Sequence, residues 1–415
     1  VRDLETRRAI DAVWRIEAPR LIAGVARLVR DVGLAEELAQ DALVAALEHW
    51  PGEGVPDNAG AWLAATARRR AIDVLRRRKT GDRKYEELAH MLPTEQAPPG
   101  DAAMDDDVGD DLLRLVFIAC HPVLSREARV ALTLRLLCGL TTDEIARAFL
   151  VPEPTVAQRI VRAKRTLADQ RVPFELPGGA ERASRLSSVL EVIYLVFNEG
   201  YAATAGAAWM RPALCEDALR LGRVLAGLAP EEPEVHGLVA LMEIQASRFG
   251  ARQTATGDPV LLPDQNRALW DRILIARGLE ALARAEALGG VHGPYALQAA
   301  IASCHARALV AGDTDWRRIA ALYAVLGHVD PSPVVELNRA VAVGMAEGPA
   351  AGLAVVDGLR GLPSLAGYHL LPAVRGDLLA RLGRAGEARA EFERAASLTR
   401  NDRERTLLLE RASRL

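Results

Sequence analysis

The residues best suited to do chemistry stand between Ala61 and Lys79. Seven of the twelve residues 68–79 are Lys or Arg, against one Asp. Wound at 3.6 residues per turn, this stretch puts Leu63, Ala64, Ala67, Ala71, Val74 and Leu75 on one side of a helix. Trp62, Thr66, Arg69, Arg70, Asp73, Arg76 and Arg77 fall on the other. A cationic stripe with an aromatic ring at its leading end can follow phosphates and stack a base, although a solvated bundle face has the same composition. A second set lies at 155–165, where Thr155, Gln158, Arg159, Arg162 and Arg165 point away from the apolar stripe Val156, Ile160, Ala163 and Leu167. Arg and Gln can read base edges bidentately while other cations hold phosphates. Covalent chemistry has no such support. There is no phosphate-cradling glycine loop and no nucleophile with a placed base, and His121, His305 and His369 show no metal-ligand spacing. The expectation is a non-enzyme with no catalytic residue, metal or cofactor.

The elements that must position these residues read as all-α. Ala, Leu and Arg dominate 415 residues, half of the chain is hydrophobic, only 4% is aromatic, and period-two alternation is scarce. Residues 4–30 show helical spacing, with Pro19 expected between two helices. A helix Leu34–Trp50 follows, with Leu38, Leu43, Val44 and Leu47 as its apolar seam beside Glu36, Glu37, Gln40, Asp41 and Glu48, and then a loop over 51–60. Residues 80–111 hold ten acids against Arg83 and Lys84, which predicts a flexible acidic linker at 81–111. Beyond it, a capping box at Thr141–Glu144, the short turn Val151–Pro154 and the helix from Thr155 make a helix-turn-helix over 112–171, with a structural helical hairpin as the alternative. Pro173, Pro177 and Gly178-Gly179 mark a boundary.

Residues 180–415 read as helix after helix. Gly376, Leu379, Gly383, Ala388, Phe392 and Ala395 fit tetratricopeptide spacing, and such arrays bind partner proteins or peptides on a concave face. Within this half, Asn198-Glu199-Gly200-Tyr201 reads either as a ligand-binding corner or, as expected here, as a helix end with Gly200 in the left-handed conformation, and Asp264 is expected to cap a helix on which Trp270 packs. The four cysteines are far apart and read as buried thiols of a reducing compartment. No apolar run reaches membrane-spanning length and no signal-peptide pattern leads the chain, so no membrane role and a cytoplasmic location are expected.

With these residues in view, segments 1–80 and 112–170 resemble a bacterial RNA polymerase sigma factor of the extracytoplasmic-function group. The resemblance rests on Ala35-Glu36-Glu37-Leu38-Ala39-Gln40-Asp41-Ala42, on Ala61-Trp62-Leu63 with Ala71-Ile72-Asp73-Val74-Leu75-Arg76-Arg77, and on Thr155-Val156 with Gln158-Arg159 and Arg162-Ala163. It implies that 1–80 is sigma region 2, binding core polymerase at the β′ clamp helices through Glu37, Gln40, Asp41 and Glu48, with the β subunit as a further contact. It implies that Trp62, Arg69, Arg70, Asp73, Arg76 and Arg77 read and melt the −10 element. Region 4, at 112–171, would read the −35 element through Thr155, Gln158, Arg159, Arg162 and Arg165. Arg69 stands where many relatives have Asn, and Ala157-Gln158 where they have Lys-Ser, which bears on the promoter sequence read. Cys120-His121-Pro122, Phe197-Asn198-Glu199-Gly200-Tyr201, Asp264-Gln265-Asn266-Arg267 with Trp270, Gly293-Pro294-Tyr295 and Pro331–Ala340 are similar to marks of a subgroup with a C-terminal tetratricopeptide-like domain. That domain would regulate or support the factor by receiving a regulatory protein or peptide. The acidic linker would mimic nucleic-acid charge inside polymerase, and the factor would join the nucleoid during initiation. The alternative is a one-component helix-turn-helix regulator with a helical sensor domain.

Overall fold

The structure, a computed structural model, describes residues 2–79 and 101–415. Most of the acidic segment, residues 80–100, lies outside the described residues, and with it the expected linker and its charge mimicry. The described chain is all-α apart from two-residue strands β1 (Ala205–Gly206) and β2 (Arg400–Asn401). It forms two compact units, Val1–Ile193 and Tyr194–Leu415.

The first unit begins with α1 (Arg2–Val29), α2 (Val32–Glu53) and α3 (Ala59–Lys79), each packed on the other two. Pro19 does not separate two helices; it is buried inside α1. A proline within a helix costs about 3 kcal/mol. Burial of Leu21, Ile22 and Val25 beside it, at about 1.5–3 kcal/mol each, outweighs that cost. Helix α2 opens on Asp31, whose Oδ1 accepts the Leu34 N–H at 3.1 Å. It continues through Pro51, where a loop was expected, and stops at Gly54, whose φ of 92° suits a residue without a Cβ. Its seam also differs from expectation. Val44 and Leu47 are exposed and Glu36 is buried. The packed face is Ala35, Leu38, Ala39, Ala42, Ala45, Ala46 and Trp50, because small side chains let α1 and α3 approach closely. On α3, Leu63, Ala67 and Ala71 are buried, whereas Ala64, expected with them, is exposed.

Residues 101–111, expected to be flexible linker, belong to helix α4 (Asp101–Ala119). Its buried run Leu113, Leu115, Val116, Phe117 and Ile118 anchors the helix, and Asp111 is buried between Arg27 of α1 (3.1 Å) and Arg114 (2.6 Å). Then come α5 (Arg126–Leu136), α6 (Thr142–Phe149) and α7 (Glu153–Asp169). Both arms of the capping box form, Thr141 N–H to Glu144 Oε2 at 2.8 Å and Glu144 N–H to Thr141 Oγ1 at 3.1 Å. Leu150, at φ 50°, turns the chain, and Pro154 lies in the first turn of α7. Helix α8 (Gly179–Tyr201) contributes Arg185 and Ser188 to this unit, donating to the carbonyls of Phe117 (3.0 Å) and Cys120 (2.7 Å).

In the second unit, α9 (Pro212–Leu228), α10 (Pro233–Ala246), α11 (Arg272–Ala287), α12 (Pro294–Arg307), α13 (Trp316–Val329), α14 (Pro333–Ala346), α15 (Pro349–Leu359), α16 (Leu370–Arg381), α17 (Ala385–Leu398) and α18 (Asp402–Ser413) pack mainly on their sequence neighbours. Strand β2 pairs in parallel with β1, and Asn401 Nδ2 donates to the carbonyls of Ala203 (3.0 Å) and Ala208 (2.9 Å), tying the last helix to the start of the unit. Gly200 is not a left-handed helix terminator. It lies within α8, where a Cβ would come within 2.7 Å of Cys215 Sγ and 2.9 Å of the Arg211 carbonyl. Nor does Asp264 cap a helix: Asp271 caps α11, and Asn266 caps the single turn Arg267–Leu269 that leads to buried Trp270. None of the four cysteines is bridged, and all are buried; burial pushes the Cys120 thiol up to about 11 and that of Cys215 to about 12.

Candidate functional site

The outward face of α2 follows from what the alanine seam leaves over. Glu37, Asp41, Val44 and Glu48, at helical intervals of four, three and four, are all exposed, with Leu47 beside them. This is an acidic strip interrupted by two apolar side chains, 50% and 41% exposed for Val44 and Leu47. Gln40, expected in the same set, turns inward and donates to Glu36 Oε1 at 2.5 Å.

Glu36 is a part of the site that reading the sequence missed. Its buried Oε1 also accepts from Arg135 Nε of α5 at 2.6 Å, and Oε2 faces the Lys164 ammonium of α7. One carboxylate therefore joins the three-helix bundle to the helix-turn-helix. Arg15–Glu144 (2.7 Å) and Arg27–Asp111 (3.1 Å) add ties from α1 to α6 and α4. The signal lay in the Ala35, Ala39, Ala42, Ala46 spacing, which puts Glu36 on the packed side.

Helix α3 presents its cations as the spacing required. Arg69, Asp73, Arg76 and Arg77 are exposed, as is Arg68, and Arg70 is half-buried. Arg70 Nη1 lies 3.2 Å from Asp41 Oδ2, so residues expected to meet different partners meet each other. Both remain substantially exposed, and such a pair is worth at most about 1 kcal/mol. An incoming partner can separate them cheaply. Trp62 is half-buried, its ring 5.4 Å from Trp50 at 70°, with His49 at 6.3 Å. It is anchored in the bundle on one side and open on the other.

On α7, Val156, Ile160, Ala163 and Leu167 are buried, while Gln158, Arg162 and Arg165 are exposed and Thr155 and Arg159 half-buried. Val161, 64% exposed, stands among them, adding an apolar group suited to a thymine methyl. Arg165 pairs with an exposed partner, Asp169, at 3.5 Å. Among the described residues no group of His, Cys, Asp and Glu could hold a metal ion, and no helix is long and apolar enough to cross a membrane.

Comparison with known proteins bears on these surfaces. Sigma-70 region 2 matches residues 14–80 and Sigma-70 region 4 matches residues 114–167. A family of unknown function (DUF6596) matches residues 185–286. An uncharacterized protein of Rhizobium meliloti (strain 1021) is 44% identical over 393 residues, covering 94% of this chain and 92% of its own length. RNA polymerase sigma-E factor of Streptomyces avermitilis is 31% identical over 172 residues, 41% of this chain and 90% of that protein. ECF RNA polymerase sigma factor SigK of Mycobacterium bovis is 30% identical over 152 residues, 36% of this chain and 78% of its own. No solved structure matches the chain.

Proposed function

This chain belongs to the extracytoplasmic-function RNA polymerase sigma factors, and we propose from that membership which of its surfaces does which part of the work. Sigma factors direct promoter-specific transcription initiation by core RNA polymerase. The strip Glu37, Asp41, Val44, Leu47 and Glu48 docks on the clamp helices of β′, with its acids steering approach and its apolar pair filling the contact. Gln40 supports the strip from behind through Glu36. The α3 face, with Arg69, Arg70, Asp73, Arg76 and Arg77, tracks the −10 element as it opens, and Trp62 covers the edge of the melted duplex. The α7 face, with Thr155, Gln158, Arg159, Val161, Arg162 and Arg165, reads the −35 element in the major groove. The work is binding and strand opening, carried out in the cytoplasm at the nucleoid. The second unit regulates or supports it and receives a protein or peptide partner.

The observation that carries this reading is that three outward faces, one acidic-apolar and two cationic, remain exposed on helices whose opposite faces are buried. Each module offers few phosphate contacts, so binding to duplex DNA without polymerase is weak and salt-sensitive. The test is a pull-down of core polymerase with the wild-type chain and with Asp41→Asn/Glu48→Gln. Loss of capture with unchanged helix content supports the docking face, and undiminished capture refutes it.

A further inference from the structure

The second unit holds three arginines that the sigma-factor reading leaves without a role. Elsewhere in this unit, sheltered arginines and sheltered carboxylates are paired with opposite charge. Arg375 sits between Asp357 (2.8 Å) and Glu391 (2.7 Å), Arg223 meets Glu243 (2.7 Å), and Arg211 pairs with Glu199. Arg248, Arg252 and Arg267 form no ion pair with any carboxylate among the described residues, although Arg252 and Arg267 are 6% and 5% exposed. They gather on aromatic rings instead. The guanidinium carbon of Arg252 is 3.4 Å from the Tyr201 ring centre and 5.7 Å from that of Trp209. That of Arg248 is 5.5 Å from Tyr201 and 5.8 Å from Trp270, and Arg267 is 5.0 Å from Trp270.

Ring faces compensate a buried cation only in part. The hydrogen bonds repeat the imbalance. Arg267 is fixed by the carbonyls of His305 and Ala308 (both 2.8 Å) and by Thr314 Oγ1 (2.9 Å), and Arg248 donates to the Tyr201 hydroxyl. Yet Arg248 Nε, Arg252 Nη1, Arg267 Nε, Trp209 Nε1 and Trp270 Nε1 are all buried without an acceptor. Five orphaned donors and three positive charges around three rings demand acceptor oxygens and negative charge. Nearby His305 does not add to the charge, since burial first, and then Arg248 and Arg267, push it down to about 3, so it is neutral. Arg248, Tyr201 and Trp209 are half-exposed and give the cluster its way in.

We propose that Arg248 and Arg252, with Tyr201 and the indoles of Trp209 and Trp270, form a binding site for the oxyanion of a small molecule, a phosphate or carboxylate group. Arg267 holds the frame behind it. Paired guanidinium forks match the planar or tetrahedral oxygens of such groups. The second unit is thereby a small-anion sensor as well as a surface for a partner chain, and the site stands on its own geometry whatever the role of the first unit.

The test uses the full chain, titrated at constant ionic strength with inorganic phosphate, pyrophosphate or citrate, with chloride as the control. Calorimetry and thermal melting are the readouts. Saturable binding with a rise in melting temperature is expected for at least one of the three, and which one binds distinguishes phosphate from carboxylate ligands. Arg252→Gln and, separately, the half-exposed Arg248→Gln should each weaken it roughly tenfold or more, and Arg252→Lys less. No saturable binding beyond the chloride control, or unchanged affinity in folded Arg248→Gln, would overturn the site.

Discussion

The two units keep buried charge in opposite ways. In the first, Glu36 is enclosed by Arg135, Lys164 and Gln40, so its charge is answered from three directions. In the second, Arg248, Arg252 and Arg267 crowd Tyr201, Trp209 and Trp270 and form no ion pair with a carboxylate among the described residues. A satisfied buried pair is architecture, since it fixes which helices lie together and asks for nothing more. An unanswered cluster is a standing cost, of the kind retained where a ligand completes it. The first unit instead leaves charge outside, on α2, α3 and α7, where water compensates it and where we propose that polymerase and DNA dock.

The sharpest way to break this comparison is to remove charge from each cluster in turn. Glu36→Gln strands Arg135 and Lys164 and should cost about 3 kcal/mol, because one partner of a buried pair is lost. Hydrogen exchange should show it as lost protection in α2, α5 and α7. Arg252→Met should behave oppositely, staying within about 1 kcal/mol of wild type or exceeding it, as a cation without a counter-charge is replaced by packing volume. If Arg252→Met destabilises as much as Glu36→Gln, the two clusters are the same kind of feature.

Smaller effects test the outward charges. Arg159→Ala and Arg162→Ala should each cost about 1–3 kcal/mol of discrimination at the upstream promoter element and leave stability unchanged. Footprints with matched and mismatched promoters measure this, and unaltered discrimination removes α7 from base reading. A pH dependence from His305 gives a further test. Its folded pKa of about 3 lies below the ordinary 6.5, so the unfolded chain binds the extra proton. Its contribution to stability is full above pH 6.5 and is lost progressively as pH falls from there towards 3. Urea midpoints between pH 7 and 5 should decline less in His305→Asn than in wild type.

Much of this was legible in the chain. The buried stripe of α7 is the one that period 3.6 picks out, and both bonds of the capping box form where Thr141 and Glu144 stand. The fold class follows from composition, and the family from short ordered motifs. Other features were hidden for physical reasons. The α2 seam is built from alanines, so weighting Leu and Val turned the helix the wrong way, exposing in the structure what was expected inside and burying Glu36. Pro19 did not end α1 because neighbouring burial exceeds its local cost, whereas α2 runs through Pro51 in an exposed last turn that Gly54 closes. Asp264 lost its capping role to Asn266 and Asp271 two and seven residues on, an ambiguity that spacing alone does not resolve. The arginine cluster lies in the irregular stretch between α10 and α11, where Arg248, Arg252 and Arg267 meet Tyr201 of α8, and outside a regular helix spacing does not say which side chains turn inward.

The most direct measurement is run-off transcription with purified core polymerase on a library of promoter fragments, with and without the protein. Transcripts from a defined subset of fragments, present only when the protein is added and lost with Arg159→Ala/Arg162→Ala, are the predicted result. No transcripts, together with tight sequence-specific binding of the protein alone to duplex DNA, would contradict it and point to a one-component regulator.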